Sequence, residues 1–440
     1  MASAQTTVGP SIRREGAPQH TKVAIASLIG TAIEWYDFFL YNTAAALVFN
    51  RLFFPQFDPL VGTLLAFTTY SVGFIARPFG GVIFGHFGDR IGRKKMLYIT
   101  LLFMGLSSTI IGLLPTYLQI GIWAPILLTL MRVCQGIGLG GEWGGAVVMA
   151  VEHAPEGRRG LWGSFPQTGL AVGGVMSAFA FWLVAGMPQA QLLSWGWRVP
   201  FLFSIVLVAI GIWVRMTVAE SPAFQKIKDQ KGEEKVPLWV VLKNHPKNIL
   251  LAMGMRYAEN GLYYLITVFP ITYVISALKM GRQDLLPGMI MSSAVGLAAL
   301  PFYGWLSDKI GRRVVYLWGA TMCGILAFPL FWMLDKAPQN IVWGWAAIII
   351  FMQVGHSAMY GPQASFLAEL FPTKIRYTGA SVGYQLAGVF AGGVSLPLAT
   401  YMLIRSHNQS WPVALYIISF SVITIIATLI VKETYKKDIL

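Results

Sequence analysis

The stretch ASLIGTAIEWYDFFLY, residues 26–41, places two carboxylates within an apolar run long enough to cross a lipid bilayer. A charged side chain at the centre of a membrane helix costs about 3 kcal/mol, so it is kept where it faces protein or a water-filled path. Glu34 and Asp37 are three residues apart and therefore share one face of a helix. The sequence predicts a membrane helix whose acidic face points into the protein.

The composition extends this prediction to the whole chain. Of 440 residues, 55% are hydrophobic and 12% are charged, whereas about 25% of residues are charged in soluble domains. A net charge of +14 would suggest nucleic-acid binding in a soluble protein. Here the lysines and arginines cluster in alternate segments between apolar runs, which predicts a polytopic membrane protein with both termini in the cytoplasm. The first twenty residues lack the short apolar core of a removable signal peptide.

Twelve apolar runs are long enough to span a membrane. They cover residues 23–49, 60–84, 96–114, 121–150, 161–185, 199–218, 248–276, 286–306, 315–334, 341–367, 379–404 and 412–431. The predicted division is a cytoplasmic tail at 1–21, an N-terminal six-helix bundle at 22–218, a cytoplasmic linker at 219–247, a C-terminal six-helix bundle at 248–431 and a cytoplasmic tail at 432–440.

The two groups of six runs repeat the same motifs. GHFGDRIGRKK at residues 85–95 recurs as GWLSDKIGRR at 304–313, and Glu152 with Arg159 recurs as Glu369 with Arg376. Glu220 and Ser221 match Glu433 and Thr434 in the same way. Such a duplication predicts two pseudo-symmetric bundles with a binding site between them near the membrane midplane, where rocking of one bundle against the other gives alternating access.

The loop pattern G-x-x-x-D-R-x-G-R-K-K resembles the major facilitator superfamily, and the likeness covers the whole chain. EWYDFFLY, FIARPFGG, RVCQGIGLGGEWGG, WGWRVPF and ELFPTKIRYTGAS resemble the metabolite:proton symporter family within it. The resemblance implies an all-α fold of twelve transmembrane helices in the inner membrane of a bacterium. It also implies import of carboxylates, zwitterions or related metabolites with protons, by a monomer without a cofactor.

Charged groups at the predicted inner face suggest gating latches. Asp89 can cap a helix N-terminus, Arg93 can pair with Glu152, and Arg312 can pair with Glu369. The alternative is that these charges only fix topology. The residues predicted to form the latches are Asp89, Arg93, Glu152, Arg159, Asp308, Arg312, Glu369 and Arg376.

The residues predicted to couple transport to protons are Glu34, Asp37 and Arg132. By resemblance the fourth span faces the first, so Arg132 is the natural partner of Asp37 or Glu34. An arginine does not deprotonate, so a carboxylate must carry the proton. The alternative is a static ion pair, which two carboxylates beside one arginine argue against.

Arg256 is the residue predicted to bind a substrate carboxylate, because a guanidinium can do so bidentately. Glu259 is its expected resting partner; the alternative is that the two merely neutralise each other. His356 can bind a hydroxyl or relay a proton, or it can be structural. The further predicted substrate-binding residues are Arg77, Tyr41, Gln135, Gln167, Tyr263, Gln353 and Gln385.

The sequence contains no Walker loop, Gly-x-Ser-x-Gly elbow or clustered metal ligands, so we expect neither an enzyme nor an ATP-driven pump. The fifth span lacks the Gly-Pro signature that drug/proton antiporters carry, which favours uptake over efflux. We expect a proton symporter for a small organic acid, with a hydroxylated carboxylate such as shikimate first. Dicarboxylate or 2-oxoacid uptake, betaine-type zwitterion uptake, an uncoupled facilitator and a transporter-like nutrient sensor remain alternatives.

Overall fold

The structure is a computed structural model that describes residues 16–57, 59–216, 220–221, 225 and 237–436. Within these ranges the regular elements are all helical. Most of the predicted N-terminal tail, most of the predicted linker and the last four residues of the predicted C-terminal tail lie outside the described residues.

The described part of the N-terminal half contains six long helices. They are α1 (Gly16–Ala44, extended by a π-helical turn at Ala45–Phe49), α2 (Pro59–Ile91), α3 (Arg93–Leu113), α4 (Trp123–His153), α5 (Arg159–Ala185) and α6 (Arg198–Met216). Gly92, between α2 and α3, has a φ of 118°, and Gly311 takes φ 107° at the matching position of the second half. Glycine suits both corners because other residues rarely adopt such a φ.

The C-terminal half repeats the arrangement with more interruptions. After a short helix at Pro237–Asn244 come α7 (Pro246–Thr267 and Phe269–Ser276), α8 (Leu286–Ile310), α9 (Arg312–Ile325 and Ala327–Asp335), α10 (Val342–Ile350, Phe351–His356 and Ser357–Glu369), α11 (Arg376–Ala387, Gly388–Gly392 and Gly393–Arg405) and α12 (Trp411–Ile430). The middle segments of α10 and α11 are π-helical turns.

These helices follow the twelve predicted spans in order. Among the described residues, nine helices are long and apolar enough to cross a membrane, or ten if the two parts of α9, which meet at a 46° bend, count as one. The helices α2 and α7 complete the set of twelve.

Several helix pairs join the halves, and two of them do so most extensively. Helix α5 packs along α8, and α2 packs along α11. Gly160 and Gly304 face each other in the first pair, and Gly85 lies against Thr378 in the second, so the backbones approach closely. Helix α10 also contacts α4 and α5, and α4 contacts α11, so these helices contribute side chains to the region between the halves.

Candidate transport site and inner gate

Asp37 lies at the end of a buried polar chain inside the N-terminal bundle. The Ser204 hydroxyl of α6 donates to its Oδ1 at 2.5 Å, and Ser108 of α3 also bonds to the carboxylate. Gln135 donates to Ser108 at 2.7 Å and accepts from Arg132 at 3.0 Å. Arg132 is therefore connected to Asp37 through Gln135 and Ser108, and a direct contact between them stays a prediction.

Aromatic rings enclose the Arg132 guanidinium. Its central carbon lies 4.3 Å from the ring centre of Phe38 and 4.4 Å from that of Tyr41. The Tyr41 hydroxyl bonds to Thr69 of α2. Two predicted substrate-binding residues, Tyr41 and Gln135, thus belong with the predicted proton-coupling arginine.

Glu34 lies in a second acidic cluster nearer the inner end of the same bundle. It interacts electrostatically with Glu142 of α4 and Arg215 of α6, and these two form a buried ion pair. Sequence analysis did not single out Glu142. The available signal was the one that pointed to Glu34, a carboxylate within an apolar run.

A stack of three side chains crosses the centre of the molecule. Trp143 of α4 lies parallel to Tyr384 of α11, with ring centres 3.4 Å apart, and the Arg256 guanidinium of α7 lies over the Tyr384 ring. Trp143 donates to Gln167 of α5 at 2.8 Å, and Gln167 donates to the Tyr360 carbonyl at 3.2 Å. The stack and this relay connect the two bundles.

Glu259 organises the C-terminal side of this centre. Its carboxylate lies 3.7 Å from Arg256 Nε and 3.4 Å from His356 Nε2, and Gln363 donates to it at 3.1 Å. The Tyr263 ring packs 5.5 Å from the His356 ring. The structure therefore brings four predicted substrate-binding residues together and adds Gln363, which sequence analysis missed.

Arg77 of α2 points its guanidinium into an aromatic cage. The ring centres of Phe74 and Phe38 lie 4.0 and 4.3 Å from its central carbon, and Tyr264 is hydrogen-bonded to it. Arg77 is 3% exposed, and its Nε and one terminal nitrogen have no hydrogen-bond partner in the structure. Arg77 is therefore a buried cation with N–H donors available for a ligand.

Two other predicted residues have different surroundings. Gln385 donates to the Gly140 carbonyl of α4 at 3.0 Å, so it joins the bundles. Gln353 is half-buried and donates to the Ser292 carbonyl of α8 at 2.7 Å. The Gln353 amide group is therefore hydrogen-bonded within the C-terminal bundle.

At the face predicted to be the inner one, two aspartates cap helices of the opposite bundle. Asp89 accepts hydrogen bonds from the backbone N–H groups of Tyr377 and Thr378, at the start of α11, at 3.3 and 2.9 Å. Asp308 does the same for Gly160 and Leu161, at the start of α5, at 2.7 and 2.9 Å. Each carboxylate meets the positive end of a helix across the bundle interface.

The predicted ion pairs Arg93–Glu152 and Arg312–Glu369 are both present, but each joins helices of one bundle. Across the bundle interface, the Arg376 guanidinium lies 2.5 Å from Glu152 and Arg93 donates to the Thr373 carbonyl at 2.9 Å. The Arg93–Glu152 ion pair stays within one bundle because its two residues lie on consecutive helices, α3 and α4, of the N-terminal half. Arg159 interacts with Glu369 from the opposite side, so the crossing charges follow the repeat.

Two helical bundles with a buried polar site between them are the architecture of a secondary membrane transporter. The family model of the Major Facilitator Superfamily matches residues 27–376 and 261–438, and the chain belongs to this superfamily. It is a secondary transporter and not an enzyme.

Several curated relatives are metabolite transporters. The Shikimate transporter of Escherichia coli (strain K12) is 39% identical over 419 residues, covering 94% of this chain and 95% of that protein. The Inner membrane metabolite transport protein YhjE of the same organism is 42% identical over 422 residues, covering 94% of each. The Proline/betaine transporter of Escherichia coli (strain K12) is 33% identical over 431 residues, covering 95% of this chain and 84% of that protein.

Solved structures share the fold. The proton:xylose symporter XylE bound to 6-bromo-6-deoxy-D-glucose matches with a TM-score of 0.78 and 16% identity, covering 96% of this chain and 98% of that one. The inward-open conformation of XylE from E. coli matches with a TM-score of 0.64, 19% identity and coverage of 96% and 98%.

Proposed function

We propose that the chain imports a small organic acid together with protons across the inner membrane of a bacterium. A hydroxylated monocarboxylate such as shikimate is the leading substrate. The observation that carries the proposal is the unbalanced positive charge of the central site, where Arg77 and Arg256 are buried and Glu259 is the acidic partner recorded for Arg256.

Arg256 has donors available for a carboxylate. Its Nε and one terminal nitrogen have no hydrogen-bond partner in the structure, and its ion pair with Glu259 is 3.7 Å long. A substrate carboxylate that approaches these donors gains charge-assisted hydrogen bonds. Glu259 keeps His356 and Gln363 as neighbours when Arg256 turns to the substrate.

Arg77 makes an anionic substrate more favourable still. Among the salt bridges between described residues, none includes Arg77. A buried cation without a countercharge is costly, and an anion that enters the site removes that cost. Both arginines act electrostatically on Tyr264 and Tyr384, and we propose the region around these two tyrosines, between the bundles, as the substrate-binding space.

Polar groups around this space suit a hydroxylated substrate. Asn260 Oδ1 and Gln363 Oε1 are buried without a hydrogen-bond partner in the structure, and the Tyr360 hydroxyl is hydrogen-bonded to Tyr384. Hydroxyl groups of a substrate can donate to the two amide oxygens. The identity of 39% to a protein named Shikimate transporter supports this choice.

A dicarboxylate is the second candidate. Two arginines facing one space can bind two carboxylates, one from α2 and one from α7. A zwitterion of the betaine type fits less well, because its own cation would lie beside two guanidinium groups.

Counterflow in proteoliposomes tests the substrate class. Vesicles preloaded with unlabelled shikimate, a C4 dicarboxylate, a 2-oxoacid or glycine betaine are diluted into the labelled compound. We expect the fastest exchange with shikimate, and a loss of at least about tenfold in Arg256→Ala, since a charge-assisted bidentate contact is worth about 1.5–3 kcal/mol. Arg51→Ala, an exposed arginine, is the matched control. Exchange of glycine betaine alone would refute the organic-acid assignment.

A further inference from the structure

The cluster of Glu34, Glu142 and Arg215 is separate from the Asp37 chain and from the central arginines. Arg215 pairs with Glu142 and donates to the Leu97 carbonyl of α3. Glu34 Oε1 and Glu142 Oε2 are both buried without a hydrogen-bond partner in the structure. Two carboxyl groups and one guanidinium balance in charge when one carboxyl holds a proton, and an unbalanced buried charge is costly.

The fold is built to hold Arg215 in this position. A Cβ at Gly30, one turn before Glu34, would overlap the guanidinium. Asp37 is the further charge near Glu34 on the same helix. A small cavity of about 10 Å³ lies on the inner side of Arg215 and is lined in part by Ser27 and Lys94. That volume is close to the minimum for one water molecule.

Tyr377 of α11 covers the cluster from the opposite bundle. Its hydroxyl donates to the Gly141 carbonyl, next to Glu142, at 2.7 Å, and its ring packs against Gly88 and Gly144. The side chain is fully buried and interacts electrostatically with Glu34, Glu142, Arg215 and Asp89.

Asp89 holds this cover closed. It accepts the backbone N–H of Tyr377 itself and that of Thr378. When the inner gate opens and α11 moves away from α2 and α4, Tyr377 must leave the cluster with it. The same movement of α11 therefore opens the gate and exposes the cluster to the cytoplasm.

We propose that Glu34, Glu142 and Arg215 form a binding site for one proton in the inner half of the N-terminal bundle, and that Tyr377 seals this site until the inner gate opens. This assignment rests on the proposed proton symport and specifies where the proton leaves. Glu142 shares the proton with Glu34, and Tyr377 is a positioning residue that controls water access.

Chemical labelling tests the site without any substrate. The reconstituted full chain is treated with a water-soluble carbodiimide and an amine tag, which react with protonated, accessible carboxyls, and labelled peptides are quantified by mass spectrometry. Exposed Glu156 is the internal reference. We expect labelling at Glu34 or Glu142 to rise about fivefold or more in Asp89→Asn and in Tyr377→Ala, the lower end of coupling between linked sites. Unchanged labelling in both variants would overturn the role of Tyr377.

The shared proton is tested by adding Glu142→Gln to Tyr377→Ala. Glu34 then pairs with Arg215 alone and loses its proton, so its labelling should fall to background. A further Arg215→Met change removes the cation and should restore labelling. If the labelling of Glu34 stays the same after Glu142→Gln and after Arg215→Met, the proposal of a shared proton site is wrong. Because no transport is measured, this result is independent of the counterflow experiment.

Discussion

Gly30 is the residue whose replacement disturbs the inner acidic cluster most directly. A methyl group there overlaps the Arg215 guanidinium, which is held by Glu142 and by the Leu97 carbonyl and has little room to move. We expect Gly30→Ala to destabilise the protein by about 1–3 kcal/mol, as overpacking does. The thermal unfolding temperature of the detergent-solubilised protein checks this.

Gly174→Ala is the matched control for that measurement. A methyl group at Gly174 of α5 meets Phe39 at 3.5 Å, an ordinary contact. The added side chain should leave stability unchanged or raise it slightly, because alanine favours helix over glycine by about 1 kcal/mol. Equal unfolding temperatures for the two variants would contradict the close packing of Gly30 on Arg215.

Asp37→Asn should separate substrate exchange from proton coupling. Asparagine keeps a hydrogen-bond acceptor for Ser204 but cannot carry the proton. We expect exchange of labelled shikimate at equilibrium to continue and accumulation against a gradient to cease. Ser204→Ala keeps the carboxylate and serves as the comparison. Loss of exchange in Asp37→Asn would place Asp37 in substrate binding instead.

Charged residues in apolar runs were the part of the site that the sequence revealed. Glu34, Asp37, Arg77 and Arg256 stand out because each is costly in a membrane and needs a partner or a task. Tyr377 and Gln363 gave no such signal, since aromatic and amide side chains within apolar runs commonly only pack. Their roles depend on which helix lies opposite, and that emerges only from the folded structure.

The helix caps at the inner face are the elements that hold α5 and α11 against the opposite bundle. Asparagine keeps one acceptor oxygen but loses the other and the negative charge at the helix N-terminus, which together are worth about 1 kcal/mol. Tenfold in an equilibrium corresponds to about 1.4 kcal/mol. We therefore expect Asp89→Asn and Asp308→Asn each to shift the inner gate toward the open state by about fivefold. Accessibility of Ser381→Cys, a nearly isosteric change at a buried position where α11 meets Gly144 of α4, to a water-soluble maleimide measures this shift.

Asp335→Asn is the control for the caps, because Asp335 accepts its hydrogen bond from Tyr273 within the C-terminal bundle. It should leave the accessibility of the inner cysteine unchanged. Equal reactivity of all three variants and the parent would show that the caps do not hold the gate.

Some features of helix α11 could be predicted from the sequence and others could not. Its position and the capping capacity of Asp89 followed from spacing and repeat. Its π-helical turn at Gly388–Gly392 and the crossing of Arg376 to Glu152 did not. A repeat shows which residues have equivalent places, but not that an arginine of one half reaches the glutamate of the other.

As a whole, the molecule is a duplicated six-helix unit closed at the face that carries the helix caps. The caps from Asp89 and Asp308, the Arg376–Glu152 pair and the Trp143–Tyr384 stack all join the two halves. The order of the twelve helices was predictable because each apolar run is a strong and independent signal. The breaks in α7, α9 and α10 were not, because apolar composition continues through them.

Substrate-driven proton movement tests the central claim of proton-coupled acid import most directly. Proteoliposomes carry a pH-sensitive dye inside and receive an inward shikimate gradient at equal starting pH, with the membrane potential clamped by potassium and valinomycin. We expect acidification of the lumen that follows shikimate entry and is absent in Asp37→Asn. Entry of labelled shikimate at an unchanged internal pH would contradict it.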